Sequence, residues 1–167
     1  MKAKKIAAVM LAATMTLSLA ACGGSSSSDS KSADGASDSG KVYKIGICQQ
    51  LEHEALDQAT KGFEDACEEK FGKDNVTFDL QNGQGEQANC ATIANNFVAD
   101  NVDLIMANAT TALQCSAAAT SDIPILGTSI TDYATALDIS DWTGATGMNI
   151  SGTSDLAPID KQEEMLT

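Results

Sequence analysis

Apolar residues recur along the chain at two different spacings. Short apolar runs typical of buried strands are separated by longer segments in which apolar residues recur at helical spacing. The short runs predict five strands, at 41–49, 75–81, 102–107, 122–128 and 143–150. The intervening segments predict four helices, at 54–71, 86–100, 111–120 and 131–137.

Strands that alternate with helices indicate strand–helix–strand units and a parallel sheet. Crossovers between parallel strands are right-handed, which places helices on both faces. The predicted fold class is therefore α/β, a doubly wound parallel sheet of strand order 2-1-3-4-5. Ligands of such sheets bind beyond the carboxyl ends of the strands.

The start of the chain has the composition of an exported protein. Three lysines precede an uncharged, mostly apolar stretch at 6–20, as in a secretory signal peptide. Small residues then precede Cys22, which resembles the lipobox of bacterial lipoproteins. Residues 1–21 are predicted to be a lipoprotein signal peptide, with Cys22 lipidated at the extracytoplasmic face of the cell membrane. The alternative is an ordinary secreted protein with a chance cysteine.

Two further segments flank the folded part. Residues 22–40 are rich in serine, glycine and aspartate and contain no large apolar side chain, so they are predicted to be a flexible tether. Pro158 and the helix-favouring residues that follow it predict the start of another helix. We expect an N-terminal α/β lobe at 41–155, and at 156–167 the start of a crossover into a second lobe that is missing here.

Charge and cysteine usage narrow the functional classes. The net charge is −13 and arginine is absent, so binding to the phosphates of a nucleic acid is not expected. No CxxC motif or Cys/His cluster is present, and no metal site is expected. Export permits disulfides, but the helical spacing of two of the cysteines favours small buried apolar residues. The residues concerned are Cys48, Cys67, Cys90 and Cys115.

The loops that follow the predicted strands are rich in amides and hydroxyls. Such groups can bind a small polar molecule by hydrogen bonds without transforming it. The candidate ligand-binding residues are Gln50, Glu52, His53, Asn82, Gln84, Thr110, Thr111, Thr128, Asp132, Ser154 and Asp155.

Two of these positions have alternative interpretations. His53, the only histidine, either lines the cleft or caps the first long helix, and catalysis is disfavoured because no second histidine assists it. The pair Thr110 and Thr111 either forms an anion site at a helix N-terminus or only caps the helix. Because neither GxSxG nor a phosphate-binding loop is present, we predict no enzyme activity and no cofactor.

Several segments resemble the ABC transporter substrate-binding lipoproteins of the tryptophan/tyrosine type, which have a periplasmic-binding-protein-like type I fold. They are EHEALDQATKGF, QNGQG, NATTALQ and SDLAP, within a resemblance that covers 41–166. The resemblance implies an extracytoplasmic component of an ABC importer. It would bind a small solute, an amino acid and often an aromatic one, between two lobes and deliver it to a membrane permease.

The same resemblance implies individual roles. Thr110 and Thr111 would hold a carboxylate, and Asp132 would pair with an ammonium group. Gln50, Glu52 and His53 would line the first loop, with Asn82 and Gln84 in the second. Ser154 and Asp155 would lie close to the crossing between lobes.

The sequence departs from the family pattern at two positions. The family often has proline where Glu54 stands, and proline or another residue where Thr111 stands. Aromatic residues are also scarce, so a wall for an aromatic ligand would come from Tyr133 or from the second lobe. The rival interpretation is a tethered flavodoxin-like enzyme or redox domain. It would need a flavin or phosphate loop after the first strand, where CQQLEHE contains no glycine.

Overall fold

A computed structural model describes residues 40–157 of the chain. The predictions of a signal peptide, of lipidation at Cys22, of most of the tether and of a helix after Pro158 lie outside the described residues. The strands are β1 (Tyr43–Gln49), β2 (Val76–Asn82), β3 (Leu104–Asn108), β4 (Ile125–Ile130) and β5 (Ile150–Ser154). The helices are α1 (Glu54–Phe71), α2 (Gln87–Ala99), α3 (Thr110–Ala119) and α4 (Tyr133–Ala136), with a 3₁₀ turn at Lys73–Asn75.

The strands form one parallel sheet in the order β2-β1-β3-β4-β5. The predicted fold class and strand order are confirmed. The position of the fifth strand was wrong, because β5 begins at Ile150 and not at 143. Residues 143–149 form bends instead, in which Gly144 and Gly147 have φ values of 89° and 69° that glycine adopts readily.

The two faces of the sheet carry separate apolar clusters. On the face covered by α1, Ile45, Ile47 and Met106 pack with Cys67 and Val76. The larger cluster joins the other face to α2, α3 and α4. Helices on both faces are the arrangement that right-handed crossovers dictate.

The centre of the larger cluster depends on a glycine. A Cβ atom at Gly46 would lie 2.6 to 2.9 Å from three ring atoms of Phe97. Because Gly46 has no side chain, the fully buried ring packs directly on the backbone of β1. This contact holds α2 close to the sheet and positions the loop that precedes α2.

All four cysteines of the described part of the chain are buried and free. The interpretation of these residues as small buried apolar side chains is therefore confirmed. Between residues 40 and 157, no helix combines the length and the apolar character needed to cross a membrane.

Candidate functional site

The carboxyl ends of four neighbouring strands lie in one row. Gln49 of β1 is in register with Asn82 of β2 and with Asn108 of β3, which in turn pairs with Thr128 of β4. The following loops therefore emerge along a single edge of the sheet. We call this edge the rim and define it as residues 50–53, 82–84, 109–111, 131–132 and 154–155.

Backbone hydrogen bonds join neighbouring loops of the rim. The Gln50 N–H donates to the Asn108 carbonyl oxygen at 3.1 Å. The N–H groups of Gly83 and Gly85 donate to the carbonyl oxygens of Gln49 and Gln50, each at 2.8 Å. These hydrogen bonds fix the first three loops of the rim relative to one another without a ligand.

A buried polar network lies beneath the rim. Thr60 Oγ1 of α1 donates to Gln49 Oε1 at 2.7 Å, and Asn108 Nδ2 donates to Thr60 Oγ1 at 3.0 Å and to the Leu56 carbonyl oxygen at 2.8 Å. Gln49 Nε2 also donates to Asp57 Oδ1 at 2.6 Å. Because Gln49, Thr60 and Asn108 are at most 3% exposed, these bonds tie the start of α1 to β1 and β3.

The sequence predicted where the residues of this network lie, but not that their side chains would be buried. Gln49 and Asn108 fall in polar loops at the strand ends, and the structure turns both side chains inward. The available signal was Thr60, a polar residue within the apolar stripe formed by Leu56 and Phe63. Among the described residues, Asn108 Oδ1 is a buried acceptor without a hydrogen-bond partner, an uncommon condition in a folded protein.

His53 caps α1. Its Nδ1 accepts a hydrogen bond from the Ala55 N–H at 3.2 Å, and the residue is exposed, as is Glu52. The capping interpretation of His53 is therefore the one that the structure realises. Both residues nevertheless belong to the rim, in the loop that begins with the half-buried Gln50.

The N-terminus of α3 lies in the middle of the rim. The helix begins at Thr110, one residue earlier than predicted, and its N-cap residue is Ala109, which supplies no side-chain hydrogen bond. The capping interpretation of the two threonines was therefore wrong, since Thr110 and Thr111 lie inside the first turn. Gln50 takes the role of a cap, because its Oε1 accepts from the Thr111 N–H at 3.1 Å.

Ala109 has an unusual backbone conformation. Its φ of 85° and ψ of 162° belong to a region that residues with a side chain rarely adopt, at a cost of about 1–3 kcal/mol. The conformation turns the chain from β3 into α3, so that the first N–H groups of the helix point beyond the sheet. Unpaired N–H groups at a helix N-terminus favour an anion.

The loop between β2 and α2 is a tight turn. Asn82 Oδ1 accepts from the Gln84 N–H at 2.7 Å, and Gln84 has a left-handed φ of 56°. The Asn82 oxygen is thus engaged within the turn, while the Gln84 side chain is exposed. Both predicted residues belong to the rim.

Asp132 caps the short helix α4. Its Oδ1 accepts from the Ala134 N–H at 2.9 Å and its Oδ2 from the Thr135 hydroxyl at 2.7 Å. The hydrogen bond from Thr135, together with those from backbone N–H groups, lowers the pKa of Asp132 below its ordinary value. The carboxylate is therefore negative at neutral pH and remains exposed to solvent.

The last predicted residues fall into two groups. Ser154 Oγ donates to the Thr131 carbonyl oxygen at 2.9 Å, and the Asp155 N–H donates to the Ile130 carbonyl oxygen at 3.0 Å, so both stay at the rim. Thr128 does not belong to the rim, because its side chain lies on the face of the sheet, where its hydroxyl is 3.5 Å from the hydroxyl of Thr153.

Tyr133 is mostly buried between β4 and β5. It is 7% exposed, and its hydroxyl donates to the Gly127 carbonyl oxygen at 2.9 Å and is 3.3 Å from the Thr153 carbonyl oxygen. A Cβ atom at Gly127 would lie 2.5 Å from the Tyr133 hydroxyl oxygen, so the missing side chain makes room for it. Tyr133 therefore belongs to the core.

Two cavities in the described part of the chain lie next to the rim. One of about 340 Å³ on the α1 face is lined by Phe63, Met106, Leu126 and Thr128, among others. Another of about 410 Å³ runs along β5 and is lined by Tyr133, Trp142 and the rim residue Ser154, among others. The rim residues Glu52, His53, Gln84 and Asp132 are exposed to solvent, so a ligand bound there would need a second surface to enclose it.

The rim offers hydrogen-bonding groups and the positive dipole end of α3. Within residues 40–157, no group of three or more histidine, cysteine or acidic side chains is arranged to hold a metal ion. The rim contains a single imidazole, and that group is engaged as a helix cap. Amides, hydroxyls and backbone N–H groups of this kind can hydrogen-bond a small polar molecule.

Comparison with known proteins identifies the family. Residues 44–167 match the model of the ABC transporter substrate binding protein family. The chain belongs to this family. A tyrosine-binding protein of Clostridioides difficile (strain R20291) is 39% identical over 168 residues, which cover 99% of this chain and 48% of that protein. The chain thus spans about half the length of this relative.

Two solved structures are also similar to this chain. The ligand-free, open structure of a Clostridium difficile substrate-binding protein with adhesive properties is 41% identical, with a TM-score of 0.70. An ABC domain from Streptococcus pneumoniae in complex with L-Trp is 36% identical, with a TM-score of 0.68. Each match covers 75% of this chain and 43% of the other. The predicted family resemblance is confirmed, and the fold is that of one lobe of a two-lobe protein.

Membership of this family places the chain among proteins that act outside the cytoplasm. ABC transporter substrate-binding proteins hold small molecules for transport and are not enzymes as a class.

Proposed function

We propose that the rim binds an amino acid, of the aromatic class, as the first half of a solute site that serves an ABC importer. The observation that carries the proposal is the N-terminus of α3. It lies at the point where the strand order reverses between β1 and β3, has no side-chain cap of its own, and receives only the Gln50 amide oxygen.

An amino acid matches the charges of the rim. Its carboxylate would accept from the N–H groups and hydroxyls of Thr110 and Thr111, while the amide of Gln50 moves aside or donates in turn. Its ammonium group would pair with a carboxylate at the rim, for which Asp132 is ionised and exposed. Glu52, His53, Asn82 and Gln84 would line the remaining sides.

The aromatic preference is supported by relatives and not by this lobe. The tyrosine-binding relative and the L-Trp complex both contain about twice the length of chain that matches here. Since Tyr133 is buried in the core, we propose that an aromatic side chain would contact a second lobe. Residues 41–155 would then form the first lobe, with Ser154 and Asp155 next to the crossover at 156–167.

We propose further that the chain is a lipoprotein. A signal peptide at 1–21, a lipid on Cys22 and a tether at 22–40 would hold the lobe near the membrane, where the permease subunits lie. The proposed role includes no catalysis, because the rim lacks a nucleophile paired with a base.

Ligand-observed NMR of the chain with millimolar L-tyrosine, L-tryptophan and tryptamine tests the solute class. Both amino acids should bind weakly, because one lobe covers only one side of the solute, and tryptamine should not bind because it lacks the carboxylate. Thr111→Val should weaken the signal. Thr77→Val, which removes a hydroxyl at the opposite end of β2, should not. Equal binding of tryptamine, or an unchanged signal in Thr111→Val, would overturn the proposal.

A further inference from the structure

The turn between β2 and α2 contains an asparagine followed by a glycine. This pairing occurs once in the sequence, at Asn82 and Gly83. An asparagine before a glycine is prone to deamidation in a flexible chain, because glycine has no side chain to hinder the approach of its backbone nitrogen to the asparagine amide. Asn82 is exposed to solvent, whereas Gly83 is buried. The pair is therefore chemically labile, and its surroundings decide whether it reacts.

The folded rim restrains both groups that would react. The Gly83 N–H donates to the Gln49 carbonyl oxygen at 2.8 Å, so the backbone nitrogen is held against the end of β1. The Gly83 carbonyl oxygen accepts from Asn89 Nδ2 at 3.1 Å. Asn82 Oδ1 accepts from the Gln84 N–H at 2.7 Å, which holds the asparagine side chain within the turn. The glycine is thus fixed through both its N–H and its carbonyl group.

We propose that Asn82 is a site of spontaneous deamidation, which the folded rim suppresses and which a local opening at the end of β2 allows. Ring closure requires the Gly83 nitrogen to lose its proton and to approach the Cγ atom of Asn82. Both changes break the hydrogen bond to Gln49, so the reaction proceeds only from an opened turn. The opening is local, because β2 lies at the edge of the sheet and its residues 80–82 are exposed.

The reaction needs no reagent other than water. The Gly83 nitrogen forms a bond to the Asn82 Cγ atom, and the bond from Cγ to the side-chain nitrogen breaks. The side-chain nitrogen leaves as ammonia, together with the proton that the backbone nitrogen gave up, and a cyclic succinimide remains. Water then opens the ring at either of its carbonyl carbons, which leaves an aspartate or an isoaspartate at position 82.

Either product changes the rim. Both replace a neutral amide with a carboxylate at the end of β2. An isoaspartate also lengthens the backbone between residues 82 and 83 by an extra carbon atom. The N–H groups of Gly83 and Gly85 would then lose their alignment with the carbonyl oxygens at the end of β1. Deamidation would therefore loosen the join between the first two loops of the rim.

The test follows Asn82 in the full chain in warm, mildly alkaline buffer, in a folded sample and in a sample unfolded with guanidinium chloride. A synthetic peptide of residues 79–87 gives the rate without any fold. Samples taken over time are digested at mildly acidic pH and mapped by mass spectrometry, in which conversion is measured as the exchange of NH₂ for OH. In the unfolded chain, Asn82 should react first among the asparagines and at a rate similar to that of the peptide. In the folded chain it should react at least about tenfold more slowly, because the turn must open first.

Two exposed asparagines of α2 provide a matched pair of variants. Asn89→Ala removes the hydrogen bond to the Gly83 carbonyl oxygen and should raise the rate in the folded chain several-fold, with the rate in guanidinium chloride unchanged. Asn95→Ala removes a hydrogen bond to the Ala91 carbonyl oxygen farther along the same helix and should leave both rates as they were.

Three results would overturn the proposal. They are a folded chain that deamidates as fast as the peptide, an Asn82 that is inert in the unfolded chain, and equal rates in the two folded variants. None of these outcomes depends on solute binding.

Discussion

Replacement of Asn108 by aspartate tests how the rim is held together. The Asn108 side chain donates two hydrogen bonds from a site with no solvent exposure, at 2.8 Å to the Leu56 carbonyl oxygen and at 3.0 Å to Thr60. An aspartate cannot donate these bonds when ionised, and its oxygen would face the carbonyl oxygen. Burial of a charge without a cationic partner should cost about 3–5 kcal/mol of the free energy of unfolding.

Asn108→Leu is the matched control of similar size. It removes both the donor and the unpaired Oδ1, and Thr60 keeps its hydrogen bond to Gln49 at 2.7 Å. Loss of the amide bonds without a new buried charge should cost only about 1–2 kcal/mol.

Urea unfolding at neutral pH, followed by circular dichroism, measures the difference. With a slope of about 2 kcal/mol per molar urea, the midpoint of Asn108→Asp should fall by roughly 2 M. The midpoint of Asn108→Leu should fall by less than half as much. An aspartate variant as stable as the original chain, or less damaged than the leucine variant, would refute the network as the support of the rim.

Three further predictions concern stability. Gly46→Ala should lower stability by about 1–3 kcal/mol, because the new methyl group overlaps the buried Phe97 ring, and an unchanged Tm would contradict that packing. The Lys41 ammonium lowers the pKa of Asp103 below its ordinary value of 3.8. The ion pair therefore stabilises the folded chain at pH values above the unfolded-state pKa of Asp103, and this stabilisation is lost as the pH falls through the folded-state pKa. Unfolding midpoints of Asp103→Asn should therefore vary less with pH below about pH 4 than those of the original chain, and identical profiles would be inconsistent with the ion pair. Tyr133→Phe should lower the free energy of unfolding by about 1 kcal/mol, because the hydroxyl's hydrogen bonds to carbonyl oxygens are lost. Burial also raises the pKa of Tyr133, so a spectrophotometric titration of the original chain should show this phenol ionising at a higher pH than an ordinary tyrosine.

The central strands and the strand order were predictable because each buried strand has an apolar signature and each crossover has one favoured hand. The fifth strand was misplaced for a physical reason. β5 lies at the edge of the sheet, and after Ile150 its residues are exposed, so its sequence ISGTS lacks the apolar signal on which the prediction depends.

The location of the candidate site was predictable, but its internal bonding was not. Topology alone places the loops after β1 to β4 on one edge, and the structure has them there. The cap that Gln50 provides for Thr111 joins residues 61 positions apart, and the strained conformation of Ala109 depends on its surroundings in the fold. Neither this hydrogen bond nor this backbone conformation can be predicted from a local pattern in the sequence.

The most direct test of the account is amide NMR of the isotope-labelled chain titrated with L-tyrosine. If the rim recognises the amino acid through its carboxylate, the amide signals of Gln50, Gly83, Thr110 and Thr111 should shift together, while those at the opposite ends of the strands, such as Tyr43, stay in place. Shifts confined to the cavity along β5 near Trp142, or spread evenly over the chain, would contradict it.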